Sequence, residues 1–310
     1  MSPNRPFQRG RFADLPDKPR RPHRYFDSPA REVVVTSGAF GAVRTHYREL
    51  GSGPPLLLVH GLMTTSYSWR YVMDDLARDH RVIVPDLPGA GRSDKPDAPY
   101  GCAALARFVL DFQAALGLRG CLAVGNSMGG FVCMRAALAD RGAFARLVNL
   151  HSPGAPSGRY LALHAALSVP GARAALSWWI RRSPRRWAHR NVHYFDESLK
   201  SLEEAAEYGD PLATRAGADA FIHYLHDTFA PADLAAFVGE LRTRRDAGQA
   251  FPMPLLLLYS RQDPLVLPEI GAQLAALVPD ARLEWLEDTS HFAHVDTPEA
   301  VLASLRAFLA

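Results

Sequence analysis

Ser127 stands in Gly125-Asn126-Ser127-Met128-Gly129, after the run Cys121-Leu-Ala-Val and ahead of a helical stretch through Phe131, Val132, Met134 and Ala137. A serine on such a strand-to-helix turn presents its hydroxyl as a nucleophile. Gly125, Gly129 and Gly130 supply room where the two backbones converge. The hydroxyl is a weak nucleophile until a base takes its proton, and that base must be oriented by a third group. Two later strand ends supply both: Asp263 follows LLLLYS, and His291 follows RLEWL. Both lie at carboxyl ends of parallel strands, the edge that also carries Ser127.

Other residues compete for these roles. His294 is an alternative base and Asp288 an alternative acid, although Asp288 is so close in sequence to His291 that bridging would need a cramped turn. Asp280 precedes its strand and belongs to the far edge. Asp86 precedes the serine in the chain, and its loop DLPGAGRSDKP reads as a structural turn. Attack on a carbonyl creates an oxyanion that needs two N–H donors. Met128, at the start of the helix, supplies one. The loop His60-Gly61-Leu62-Met63 supplies the other, with Leu62 as the donor. His60 reads as a buried structural histidine.

The elements that must position these groups follow from hydrophobic patterning. Short runs EVVVT, AVRTHYREL, PLLLVH, RVIVP, CLAVGN, RLVNLH, LLLLY and RLEWL read as strands. The later ones are nearly continuous aliphatic stretches, as parallel strands buried on both faces require. Amphipathic segments at 67–77, 103–116, 128–139, 268–278 and 298–309 alternate with them. The expectation is an α/β fold of about eight strands, mostly parallel, with helices on both faces and an antiparallel hairpin at one edge.

The alternation stops over residues 152–250, which show helical periodicity and many aromatics. They read as an inserted helical cap between two core segments, 32–151 and 251–310. Met63, Phe292, Trp178 and Trp179 are the candidate substrate-binding residues. The run WWIRRSPRRWAHR reads either as a solvated basic face or as a source of an arginine over a substrate carboxylate.

Composition sets the outer bounds. The 310 residues are 48% hydrophobic and 22% charged, with a net charge of +3. That excludes disordered, collagen-like and coiled-coil chains. Residues 1–31 hold eight Lys/Arg against three Asp. Pro-rich and without an apolar h-region, they read as a poorly ordered basic tail rather than a secretory signal, the alternative being a basic arm for nucleic acid or acidic lipid. Cys102, Cys121 and Cys133 have no paired spacing, so free thiols in a reducing, cytoplasmic compartment are expected, with no metal. No apolar run reaches membrane-span length. No nucleic-acid partner is expected, and oligomeric state is left open.

Taken together, HGLMTTSYSWR, DLPGAGRSDKP, GNSMGG, Asp263 and His291 resemble the α/β-hydrolase superfamily from about residue 32 to the end. The resemblance implies an eight-stranded core with a helical cap and no cofactor. It also implies Ser127, Asp263 and His291 as a triad, with Leu62 and Met128 as oxyanion donors. Haloalkane dehalogenases and epoxide hydrolases look similar in two of these segments but attack sp³ carbon with an aspartate, where this chain has Ser127. Ester or thioester hydrolysis of a hydrophobic small molecule through an acyl-enzyme is the leading expectation. Hydrolysis of a C–C bond in a dienoic diketone is the alternative, although such enzymes usually carry an HGSGP-type loop and a Trp after the histidine. A non-catalytic ligand-binding member of the superfamily is the alternative of another class.

Overall fold

The computed structural model describes residues 6–310. Its strands are β1 (Ala30–Ser37), β2 (Gly41–Leu50), β3 (Pro55–Val59), β4 (Arg81–Pro85), β5 (Cys121–Asn126), β6 (Phe144–Leu150), β7 (Leu255–Ser260) and β8 (Arg282–Leu286). They form one eight-stranded sheet in the order β1-β2-β4-β3-β5-β6-β7-β8. β1 and β2 make an antiparallel hairpin, and β2 is also antiparallel to β4. All pairings from β4 to β8 are parallel.

The aliphatic runs form central strands because they can bury both faces of the pleat. Leu57 and Val59 of β3 join a core with Phe108, Phe131 and Leu274, while Leu56 and Leu58 join a second core with Trp69, Met73 and Leu305. Helices Cys102–Leu116, Met128–Ala139 and Pro268–Leu277 cover the first face, and Pro298–Leu309 covers the second. The amphipathic stretch at 67–77 is shorter than its pattern suggests, a 3₁₀ turn at Ser66–Trp69 followed by one helical turn at Met73–Leu76. The chain from Gly158 to Asp246 is helical, with no strand among these described residues, and packs Leu167, Ile180, Leu212, Phe221 and Ile222 into a small core of its own. A buried ion pair, Arg70 to Glu204 at 2.7 Å, fastens this layer to the turn after β3.

The amino-terminal segment departs from expectation. Residues 6–31 are not a loose tail but strap the helical layer to the core, and the first five residues of the expected tail lie outside the described residues. Tyr25 is fully buried, its hydroxyl 2.7 Å from Ser66 Oγ and its ring under the Arg48 guanidinium. His23 meets Glu203 at 2.8 Å. Leu202 N–H donates to Pro16 O, and Glu203 N–H donates to Asp17 O. Proline lacks an N–H but keeps a carbonyl acceptor, so a Pro-rich strand can still be pinned from one side. Among the described residues, no helix is long and apolar enough to cross a membrane.

Candidate active site

Ser127 occupies the junction between β5 and helix Met128–Ala139 at φ +53°, ψ −119°. A non-glycine residue holds this conformation only where surrounding structure enforces it. Enforcement comes from contact on both sides. A Cβ on Gly125 would lie 2.5 Å from Gly130 N, and one on Gly129 would lie 2.3 Å from Val59 O. The Ser127 amide donates to Leu150 O at 2.7 Å, tying the turn to β6. Met63, His151 and Asp288 also have positive φ, and each follows the carboxyl end of a strand. Among the described residues, four of the five non-glycine positive-φ positions thus lie on the edge that carries Ser127, the fifth being Phe7.

His291 and Asp263 meet on that edge. His291 Nδ1 lies 2.6 Å from Asp263 Oδ2, with both residues almost wholly buried. Burial alone would push the Asp263 carboxyl up. The His291 imidazole, together with His151 and the Val266 amide, outweighs it and holds the group below its ordinary value. A carboxylate only accepts, so Nδ1 carries a proton, and in the neutral ring Nε2 is the nitrogen left with a lone pair. The other carboxylate oxygen accepts from Leu265 N at 2.7 Å and Val266 N at 2.9 Å, which fixes its plane.

The loop that bears His291 is held by Asn126, to which the serine motif gives no role of its own, and by Asp296, which lies in no motif. Asn126 Nδ2 donates to His291 O at 3.1 Å. Asp296 accepts the Ser290 amide at 2.7 Å on one oxygen and the Phe195 amide at 2.9 Å on the other. Burial pushes the Asp296 carboxyl up to about 6.

The two proposed oxyanion donors come from adjacent loops. Met128 opens its helix, so its amide has no intrahelical acceptor. A Cβ on Gly61 would come within 3.2 Å of Ser127 Cβ, so the loop carrying Leu62 presses directly on the serine. Gly61 O accepts from His60 Nδ1 at 2.8 Å and from Thr64 Oγ1 at 3.0 Å. Because the Gly61–Leu62 peptide is trans and planar, anchoring that carbonyl fixes the opposite direction for the Leu62 N–H. His60 is buried and also accepts the Leu87 amide on Nε2 at 3.0 Å, the satisfied structural role expected of it.

Ser127, His291, Leu62, Met63 and Phe292 share a cavity of about 400 Å³, whose remaining walls include Tyr160, Leu163, Leu176, Trp187, Phe221, Leu225 and Phe229 of the helical layer. Leu265 and Val266 close one side, and Arg159 and Asn191 add polar groups. Trp178 and Trp179 do not line it. They are 55% and 54% exposed, and the tryptophan that faces the cavity is Trp187. Helical phase accounts for Trp178, which points about 200° away from the inward Leu176; Trp179 lies nearer the Leu176 side, and its ring packs edge-on against Trp187 at 5.1 Å.

The competing residues are elsewhere. His294 is fully buried, its ring tilted against that of Trp69 at 4.4 Å. Asp288 is exposed, its amide bonded to Gln262. Asp280 accepts the Phe251 amide at the far edge. Asp86 accepts the Ser66 and Arg92 amides and holds the turn after β4.

Comparison with known proteins agrees with the fold. The family model described as alpha/beta hydrolase fold matches residues 54–298. The chain is 30% identical over 300 residues to the uncharacterized protein Rv2715 of Mycobacterium tuberculosis, covering 91% of this chain and 83% of that protein. It is 27% identical over 289 residues to 2-hydroxymuconate semialdehyde hydrolase of Pseudomonas sp. (strain CF600), covering 90% and 93%. The solved structure of a thermophilic esterase from Thermogutta terrifontis superposes with a TM-score of 0.72 at 22% identity, covering 90% of this chain and 98% of that one. The sheet, its helical covering and these matches place the chain in the α/β-hydrolase fold family, as a hydrolase.

Proposed function

We propose that this protein is a cofactor-independent serine hydrolase that cleaves a carboxylic ester or thioester of a hydrophobic small molecule through an acyl-enzyme. The observation that carries the reading is the position of Ser127. It sits on a strained turn and shares one largely apolar cavity with a histidine already paired to a buried aspartate. In the proposed reaction, Ser127 Oγ attacks the carbonyl carbon as His291 Nε2 takes its proton. The oxyanion is held by the Leu62 and Met128 amides, and collapse expels the alcohol or thiol, which takes the proton from His291. Water, deprotonated by the same nitrogen, then attacks the acyl carbon, and Ser127 leaves with the proton restored. Asp263 stays ionised and keeps the imidazole in the competent tautomer. The helical layer acts as a cap that selects the acyl group. Three buried free thiols fit a reducing, cytoplasmic location.

A second reading, C–C bond hydrolysis of a dienoic diketone, is favoured by the likeness to 2-hydroxymuconate semialdehyde hydrolase and by the polar Arg159 and Asn191 in the cavity wall. A kinetic panel of aryl esters of rising acyl length, run beside one dienoic diketone, tests the two. The ester reading predicts kcat/KM rising by roughly tenfold or more per well-seated methylene until the cavity is full. Cleavage of the diketone with all esters inert transfers the assignment to the second reading.

A further inference from the structure

Apart from Trp187, which lines the cavity, the run WWIRRSPRRWAHR is not used by the proposed chemistry, and its placement is unusual. Among the described residues seven large hydrophobic side chains are exposed, and four of them, Leu161, Val169, Trp178 and Trp179, lie on helices Gly158–Ser168 and Ala172–Arg182 or the turn between them. These helices pack against each other and, with the next one, Pro184–Asn191, contain seven arginines and no Asp or Glu. On neighbouring elements Asp210 pairs with Arg185, one of the seven, and Asp219 pairs with Arg215. Arg182 lies 4.6 Å over the ring of Trp178.

From this face we infer that the outer side of these helices docks on an anionic phospholipid surface. An aromatic and aliphatic outer face ringed by arginines is the composition that sits at the headgroup level of a bilayer without spanning it. Charge complementarity selects the occupant. A second copy of the chain would oppose arginines to arginines, and a nucleic acid would leave Leu161 and Val169 against a phosphate backbone with nothing to bury them. The same two helices send Tyr160, Leu163 and Leu176 into the cavity of Ser127. The docking face and the substrate cavity are thus the two sides of one helix pair, so a membrane-dissolved, apolar substrate would be delivered beside the site. The docking does not depend on which bond is cleaved.

The test is flotation of the full chain with vesicles of phosphatidylcholine alone or with about 30 mol% phosphatidylglycerol, at low salt and at roughly 0.5 M NaCl. The expected result is flotation with the anionic vesicles only, reversed by salt, with a blue shift in tryptophan fluorescence. Arg181→Glu/Arg182→Glu should lower partitioning at least about 25-fold, each basic residue near such a surface being worth roughly fivefold. Leu161→Ser/Trp178→Ser should abolish flotation while turnover of a soluble ester is unchanged. Protein that stays unbound with both vesicle types overturns the inference, as does equal, salt-insensitive binding to both. A dimer in light scattering that these substitutions dissolve also overturns it and assigns the face to self-association.

Discussion

Asn126, the residue before the candidate nucleophile, donates its side-chain amide to the main-chain carbonyl of His291, the candidate base, at 3.1 Å. One hydrogen bond thereby sets the spacing between two groups 165 positions apart in the chain. Misplacement of a base by about 1 Å can cost up to about 10²-fold in rate. Asn126→Ala is expected to lower kcat by about 10- to 10²-fold with little change in KM, measured on one ester beside thermal melting of the same preparation. An unchanged kcat in folded protein shows that the base is positioned by other contacts.

Asp263→Asn should cripple the enzyme, by up to about 10⁴ in kcat on the serine-protease precedent, because an amide favours the wrong imidazole tautomer. Asp288→Asn should cost less than about tenfold, since Asp288 is exposed and its amide faces Gln262. Measuring both at one pH on the same ester settles the acid. The reverse ranking assigns it to Asp288.

Replacing glycine by alanine in a helix ordinarily stabilises by about 1 kcal/mol. A Cβ added at Gly239, in helix Pro231–Asp246, would meet nothing within 4 Å, so Gly239→Ala should follow that rule. At Gly129 the Cβ would meet Val59 O at 2.3 Å and His60 O at 2.6 Å. Gly129→Ala should destabilise by about 1–3 kcal/mol or more. Urea unfolding of the two variants checks the opposite signs. Equal signs mean that the turn is looser than its contacts indicate.

Much of this arrangement is legible in the sequence for definite reasons. Continuous aliphatic runs such as LLLLYS can be satisfied only by burial on both faces, so they locate β7 and, at its end, Asp263. What is not legible needs tertiary contact. Tyr25 looks like one aromatic in an Arg- and Pro-rich tract, and only the pocket made by Ser66 and Arg48 reveals it as an anchor. Trp178 and Trp179 carry the composition of a binding wall, but the phase of their helix is fixed by Ile180 turning into the core of the helical layer. Asn126 and Asp296 act through main-chain groups distant in sequence or on another element, which no local motif records.

His151 is fully buried 5.7 Å from the ring of His291, and burial, helped by that neighbour, pushes it down to about 4. The unfolded chain takes up this proton near pH ~6.5 and the native state only near pH 4, so the unfolded state binds more protons in between. Stability from this group is full above pH ~6.5 and is lost as pH falls toward 4, with a slope of up to about 1.4 kcal/mol per pH unit. Burial pushes His60 and His294 in the same direction. His151→Asn, which tolerates the positive φ, should flatten the melting-temperature profile over that window. Parallel profiles for the variant and the wild type show that His151 does not titrate there.

The proposed function stands on acylation of Ser127. Intact-mass analysis and peptide mapping after brief reaction with an activated aryl ester or an organophosphonate examine that step itself. One adduct per chain is expected, on Ser127, with a burst of released aryl alcohol and neither adduct nor burst in folded Ser127→Ala. An adduct on Ser152 or Ser290, or full turnover by Ser127→Ala, contradicts the assignment.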